Sequence, residues 1–89
     1  MSKTHVEVGD SVIWHDAQGA AYNSVVTAVW SEKCINVVFV SKDSSKQDSY
    51  GRQIERATSC QHKSLVHVHG FYWRFHEEEP NGYVAPLES

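Results

Sequence analysis

Two cysteines, two prolines and a single methionine in 89 residues remove the raw material of several architectures. Cys34 and Cys60 stand far apart and neither belongs to a CxxC pair, so no disulfide framework is expected and a reducing compartment is the simpler setting. No apolar run approaches the roughly 20 residues of a membrane-spanning helix. The opening MSKTHVEVGD carries charge with no apolar stretch behind it, which is not the pattern of a secretory signal. An excess of positive charge is also missing. Eight Lys and Arg against eleven Asp and Glu give a formal charge of -3, so general attraction to phosphate backbones is absent and nucleic acid is not an expected partner. Apolar residues recurring at helical spacing are lacking too, and no long amphipathic helix is expected.

What remains is ordinary globular composition, with 40% hydrophobic and 21% charged residues. A chain of this length makes one domain with a small core. VEVGDSVIWHD begins with a Gly-Asp turn and then alternates Val12 and Trp14 against Ile13 and His15, which predicts a strand. DAQG supplies a turn. Tyr22 to Trp30 then alternates with β-branched residues throughout and predicts a longer, twisted strand. After SEK, the continuous run Val37-Val38-Phe39-Val40 predicts a central strand covered on both faces. Three strands so tightly connected form an antiparallel meander.

SKDSSKQDS has loop composition, with the loop ending near Gly51. RQIERATSC follows as a polar strand, with Ile54, Arg56, Thr58 and Cys60 on one face and Ile54 plugging the core. HGFYWRF places Phe71, Trp73 and Phe75 on one face of a closing strand. The fold class is therefore all-β, a small barrel of about five antiparallel strands over 1–76, which removes exposed sheet edges. EEEPNGYVAPLES has two prolines and no periodicity, so 77–89 is expected to be a solvated, acidic, flexible tail. Trp14 and Trp73 share faces with apolar neighbours and are assigned to the core, whereas Tyr22, Tyr50 and Tyr72 are the candidates for exposed contact.

VGDSVIWHD resembles the first strand of SH3-like barrels such as Tudor and KOW modules. Together with VVTAVW, CINVVFVS, YGRQIERATSCQHKS and HGFYWR it is similar to a family of small tailed-bacteriophage proteins, over roughly Val8 to Arg74. The resemblance implies a virus-encoded accessory protein with an SH3-like barrel, located in the host cytoplasm or the virion, and it brings no catalytic residues.

Chemistry-bearing patterns are sparse. His62, His67, His69 and His76 cluster, with His67 and His69 on one strand face and Cys60 and His62 in the same relation, but no closed four-ligand spacing exists. No metal or other cofactor is assigned. There is no GxSxG elbow, no Gly-rich phosphate loop, no deaminase HxE with PCxxC and no apolar-embedded carboxylate pair, so no enzyme activity is assigned. The binding candidates are Tyr50, Arg52, Gln53, Glu55 and Arg56, with the preceding loop as a flap carrying Lys42 and Lys46. Arg, Gln and Tyr form a planar, multi-donor surface for carboxylate or phosphate, though the same residues could instead be a turn with exposed ion pairs. The expectation is a non-enzymatic binding module acting on a host or viral protein. Alternatives are a virion decoration or head-associated protein and a small-molecule binder for a nucleotide-like anion, the latter needing an oligomer to build its pocket.

Overall fold

The computed structural model describes residues 5–66 and 70–81. Within them lie strands β1 (Ser11–His15), β2 (Ala21–Ser31), β3 (Cys34–Val40), β4 (Gln47–Asp48), β5 (Gly51–Arg52), β6 (Ile54–Gln61) and β7 (Tyr72–Arg74), with a 3-10 turn at Lys63–Leu65. Five of the strands make one antiparallel sheet in the order β6-β3-β2-β1-β7, curled into a half-barrel. That is the all-β class and the strand number predicted, and it is compatible with a small closed barrel. β4, inside the segment read as loop, pairs separately with β5, at the boundary between that loop and the strand read after it, as a short hairpin.

Local chemistry sets the turns. Asp16 closes the β1–β2 hairpin by accepting from Gln18 N and Ala20 N, both at 2.9 Å, and Gly19 takes φ +91°, a conformation that L side chains resist. β2 and β3 are joined through Glu32 and Lys33 alone. The Lys33 carbonyl accepts from His62 N at 2.7 Å and from Trp73 Nε1 at 3.1 Å. A single carbonyl thus ties the meander turn to the end of β6 and to β7, and an isolated parallel bridge between His62 and Trp73 lies beside it.

Inward-facing side chains form the core: Val6, Val12, Trp14, Val26, Ile35, Val37, Phe39, Cys60 and Trp73, flanked by Tyr22, Ala57 and Phe75. Trp14 stacks on Phe39 with centroids 4.5 Å apart, and Trp73 meets Phe75 edge-on at 5.0 Å. Trp14 and Trp73 are therefore core residues, as predicted.

Several expectations change. Ile54 is 62% exposed and plugs nothing. β3 pairs Ile35 with Cys60 but Val37 with Ala57, so β6 spends three residues where β3 spends two. Ser59 absorbs the extra residue at φ +54°, and the bulge reverses the alternation. Cys60 still points inward, but upstream it is Glu55 and Ala57 that turn in while Ile54, Arg56 and Thr58 turn out. β3 is buried on one face only, leaving Val40 exposed. Tyr72 is buried and Tyr22 half-buried, whereas Phe71 precedes β7 and is exposed. Glu78 is not a solvated acid but a partner of His62, and 82–89 lies outside the described residues.

Candidate binding surface

The outer face of the sheet has two halves that differ sharply. Pairing of His15 with Tyr72 and of Ile13 with Arg74 puts these four side chains together on the outside of β1 and β7. Three of them are nevertheless buried. The chain after β7 folds back onto them: Arg74 Nη1 donates to the Glu78 carbonyl at 2.6 Å and Asn81 N donates to Tyr72 Oη at 2.8 Å. Asn81 Nδ2 reaches the carbonyls of Lys63 and Val66, pinning the 3-10 turn to the same hook. His15 stacks on Tyr72 at 4.8 Å; its Nε2 accepts from Arg74 Nε at 2.9 Å, so Nδ1 carries the proton and donates to the Gly19 carbonyl. Burial and the Arg74 charge hold the His15 pKa below its ordinary value, although the Gly19 carbonyl and Asp16 oppose them.

The outside of β2, β3 and β6 has no such cover among the described residues. Val25 pairs with Val38 and Val38 with Arg56, giving one row across three strands, and Val40 pairs with Ile54 in the next. Val25, Val40 and Ile54 are 45%, 51% and 62% exposed. Farther along, Trp30 lies exposed with its Nε1 donating to Asn36 Oδ1 at 2.9 Å, and the same oxygen accepts from Ser59 N at 2.8 Å. Asn36 thereby fixes both the tryptophan and the bulge.

The β4–β5 hairpin leads into β6 with only Gln53 between. Its two-residue loop, Ser49–Tyr50, is held by Tyr50 N donating to Asp48 Oδ1 at 2.8 Å, and it projects Tyr50 into solvent, 96% exposed. Lys46 does not serve as a free cation: its Nζ is 2.8 Å from Glu55 Oε2. Gln53 ties the hairpin to β3 through its backbone, donating to the Lys46 carbonyl and accepting from Ser41 N, with its side chain exposed. Arg56 forms no ion pair among the described residues and stands on the apolar outer face in β6, whereas Arg52 is in β5. The two arginines are four positions apart, and Arg52 lines a cleft that Arg56 does not.

Arg52 belongs with Lys42. Together with Tyr22, Asn23, Val40 and Ser41 they line an open cleft of about 460 Å³ at the rim of the half-barrel, beneath the hairpin. Arg52 Nε donates to Gln47 Oε1 and its Nη1 to the Ser41 carbonyl, at 3.1 and 3.4 Å. Lys42 Nζ donates to the Ala21 carbonyl and sits 4.5 Å from the centroid of the Tyr22 ring. Burial and Asp16, which accepts from Tyr22 Oη at 3.0 Å, raise the Tyr22 pKa. Sequence reasoning identified Lys42 and Arg52 but missed Asn23 and Ser41. It also missed the apolar face, whose one signal was that alternation leaves Val25, Val38 and Val40 opposite the core positions.

His62 is buried between Ser64 Oγ, 2.9 Å from Nδ1, and Glu78 Oε1, 2.8 Å from Nε2. His76 Nε2 is 2.9 Å from Ser11 Oγ. His67 and His69 lie outside the described residues. Burial and the indole of Trp14 act oppositely on the Cys60 thiol, and burial wins, pushing its pKa up to about 11, so it is an inert core thiol. Comparison with protein-family models, with curated proteins and with solved structures returned no match.

Proposed function

We propose that the chain is a non-enzymatic, phage-encoded binding module that docks the outer face of β2, β3 and β6 on an acidic surface of a host or viral protein. The observation that carries this reading is the contrast between the two halves of the sheet. One outer half is sealed by the chain's own hook, while the other presents a row of exposed aliphatic side chains around Arg56, with Tyr50 at its margin. Tyr and Arg beside apolar contacts are the residue types that dominate interface energetics.

Charge argues for an acidic partner. Four of the eight Lys and Arg residues lie between Lys42 and Arg56, although the chain as a whole is negative. Of the three acids among them, Glu55 is paired with Lys46, while Asp43 and Asp48 keep their charge and accept from Ser45 and from Tyr50 N. Arg56 has no carboxylate in ion-pair contact among the described residues, so it sets a positive charge in the row of this face that an acidic partner would complement.

Photo-crosslinking residues placed at Val40 or at Ile54, with Ala17 in the β1–β2 turn as control, test the reading in infected cells. A conjugate to one protein, formed from the face positions only, competed by unlabelled protein and lost with Arg56→Glu, is the expected result. Equal conjugation from Ala17, or conjugation only to further copies of this chain, would overturn it.

A further inference from the structure

We infer that the cleft between Lys42 and Arg52 is a binding site for a small organic phosphate of about nucleoside-monophosphate size. The cleft shares Val40 with the docking face, but this inference rests on the two cations and does not need the docking reading. Both cations are pre-positioned by backbone carbonyls: Lys42 by Ala21 and Arg52 by Ser41, with Gln47 fixing the guanidinium plane. Neither has a carboxylate oxygen within ion-pair distance among the described residues. Asp43 lies near enough to Arg52 to feel its charge and Asp16 bonds the Tyr22 hydroxyl, but neither touches the two cations, so both keep donors directed at one concavity where an anionic ligand would be attracted.

The donors choose between anions. Lys42 offers an ammonium, Arg52 has a terminal nitrogen, Nη2, that makes no hydrogen bond among the described residues, Asn23 supplies an amide and Ser41 a hydroxyl. Ser41 is 4% exposed, and its Oγ accepts from Asp43 N at 3.1 Å, which leaves its proton available. A carboxylate has two oxygens for these donors, whereas a phosphate monoester has three and carries close to two charges, matching the two cations. The remaining wall is apolar: Val40 and the edge of Tyr22, continued outward by Ile54 paired to Val40. A bare anion would leave that wall unused, and the volume suits a nucleotide-sized body.

The test is a titration of the uniformly ¹⁵N-labelled protein, followed by amide shifts, with adenosine 5′-monophosphate, adenosine and inorganic phosphate as separate probes. The monophosphate is expected to saturate below about 1 mM, a modest affinity for an open site. Its shifts should centre on Asn23, Ser41, Lys42 and Arg52. Adenosine and inorganic phosphate should each bind at least about tenfold more weakly. Lys42→Ala with Arg52→Gln should weaken the monophosphate by at least about tenfold, while Lys63→Ala leaves it unchanged. Equal binding of inorganic phosphate, equal binding of adenosine, full affinity in the double variant or shifts centred elsewhere would each overturn the inference. Should the double variant lose its dispersed spectrum, the shift map and the salt dependence of the wild type decide. An affinity indifferent to salt would then overturn the charge pairing.

Discussion

Ser59 is the only non-glycine among the described residues at positive φ, and the phase of β6 depends on it. A serine tolerates this region at a cost, and a β-branched residue tolerates it far less. Ser59→Gly is therefore expected to leave urea-unfolding stability unchanged or raise it slightly, and Ser59→Val to lower it by about 1–2 kcal/mol. The same bulge decides what Ile54 does. Because its side chain is on the outside, Ile54→Ala should cost less than about 0.5 kcal/mol, as surface changes do. Ile35→Ala, at a fully buried position, should cost about 2–5 kcal/mol. A large loss at Ile54 would mean that the outer face is covered, and the binding assignment would fall with it. Nothing in TSC announces a bulge. Unbroken alternation put Ile54 on the face of Cys60, and only the pairing of β6 with β3 reveals the extra residue.

At the scale of elements, the first three strands were legible because alternation in two and a continuous β-branched and aromatic run in the third lie between turn residues. The covering of β1 and β7 was not. Tyr72 looked like a contact residue because it alternates against Trp73, yet its outer position is buried by Asn81 and His15, nine residues on and far back in the chain. The candidate site divided along the same line. Loop composition marked Lys42 and the multi-donor run YGRQIER marked Arg52, while only the fold shows that Arg52 lines the cleft and Arg56 does not. The hook also gives the fold an acid response. His15 is held neutral with its folded pKa below the ordinary 6.5, so the unfolded chain takes up the proton first. This stabilisation is complete above the ordinary value and is lost as pH falls through the folded one. Burial opposes ionisation of Glu78, but hydrogen bonds from Phe75 N and His62, with the Lys63 charge, outweigh it and hold its pKa below the ordinary 4.5. Its contribution is present above that value and is lost at still lower pH. Urea midpoints should decline in two stages on acidification, and His15→Gln should flatten the upper stage while leaving the lower one. A wild-type midpoint constant from neutral pH down through the upper stage would refute the role given to His15.

Across the whole molecule, the half-barrel leaves β6 as a sheet edge beside an exposed apolar face, an arrangement that invites self-association. The edge carries its own deterrents. Arg56 stands in the row of Val25 and Val38, Glu55 is half-buried and joined to Lys46, and the bulge at Ser59 breaks the regular ladder a second strand would need. Arg56 therefore serves two ends, orienting an acidic partner and repelling a second copy placed two-fold against the same face. Arg56→Val separates those ends. It removes the charge from the centre of the row without touching the core, so the melting temperature should stay within about 2 °C of wild type, in line with the small effects of surface substitutions. Sedimentation velocity should nevertheless show mass rising with concentration for Arg56→Val more steeply than for wild type. Arg52→Ala, at the rim and outside the row, should sediment as wild type does. If Arg56→Val sediments like wild type, charge is not what keeps copies apart, and the twist of the bulged edge alone accounts for it.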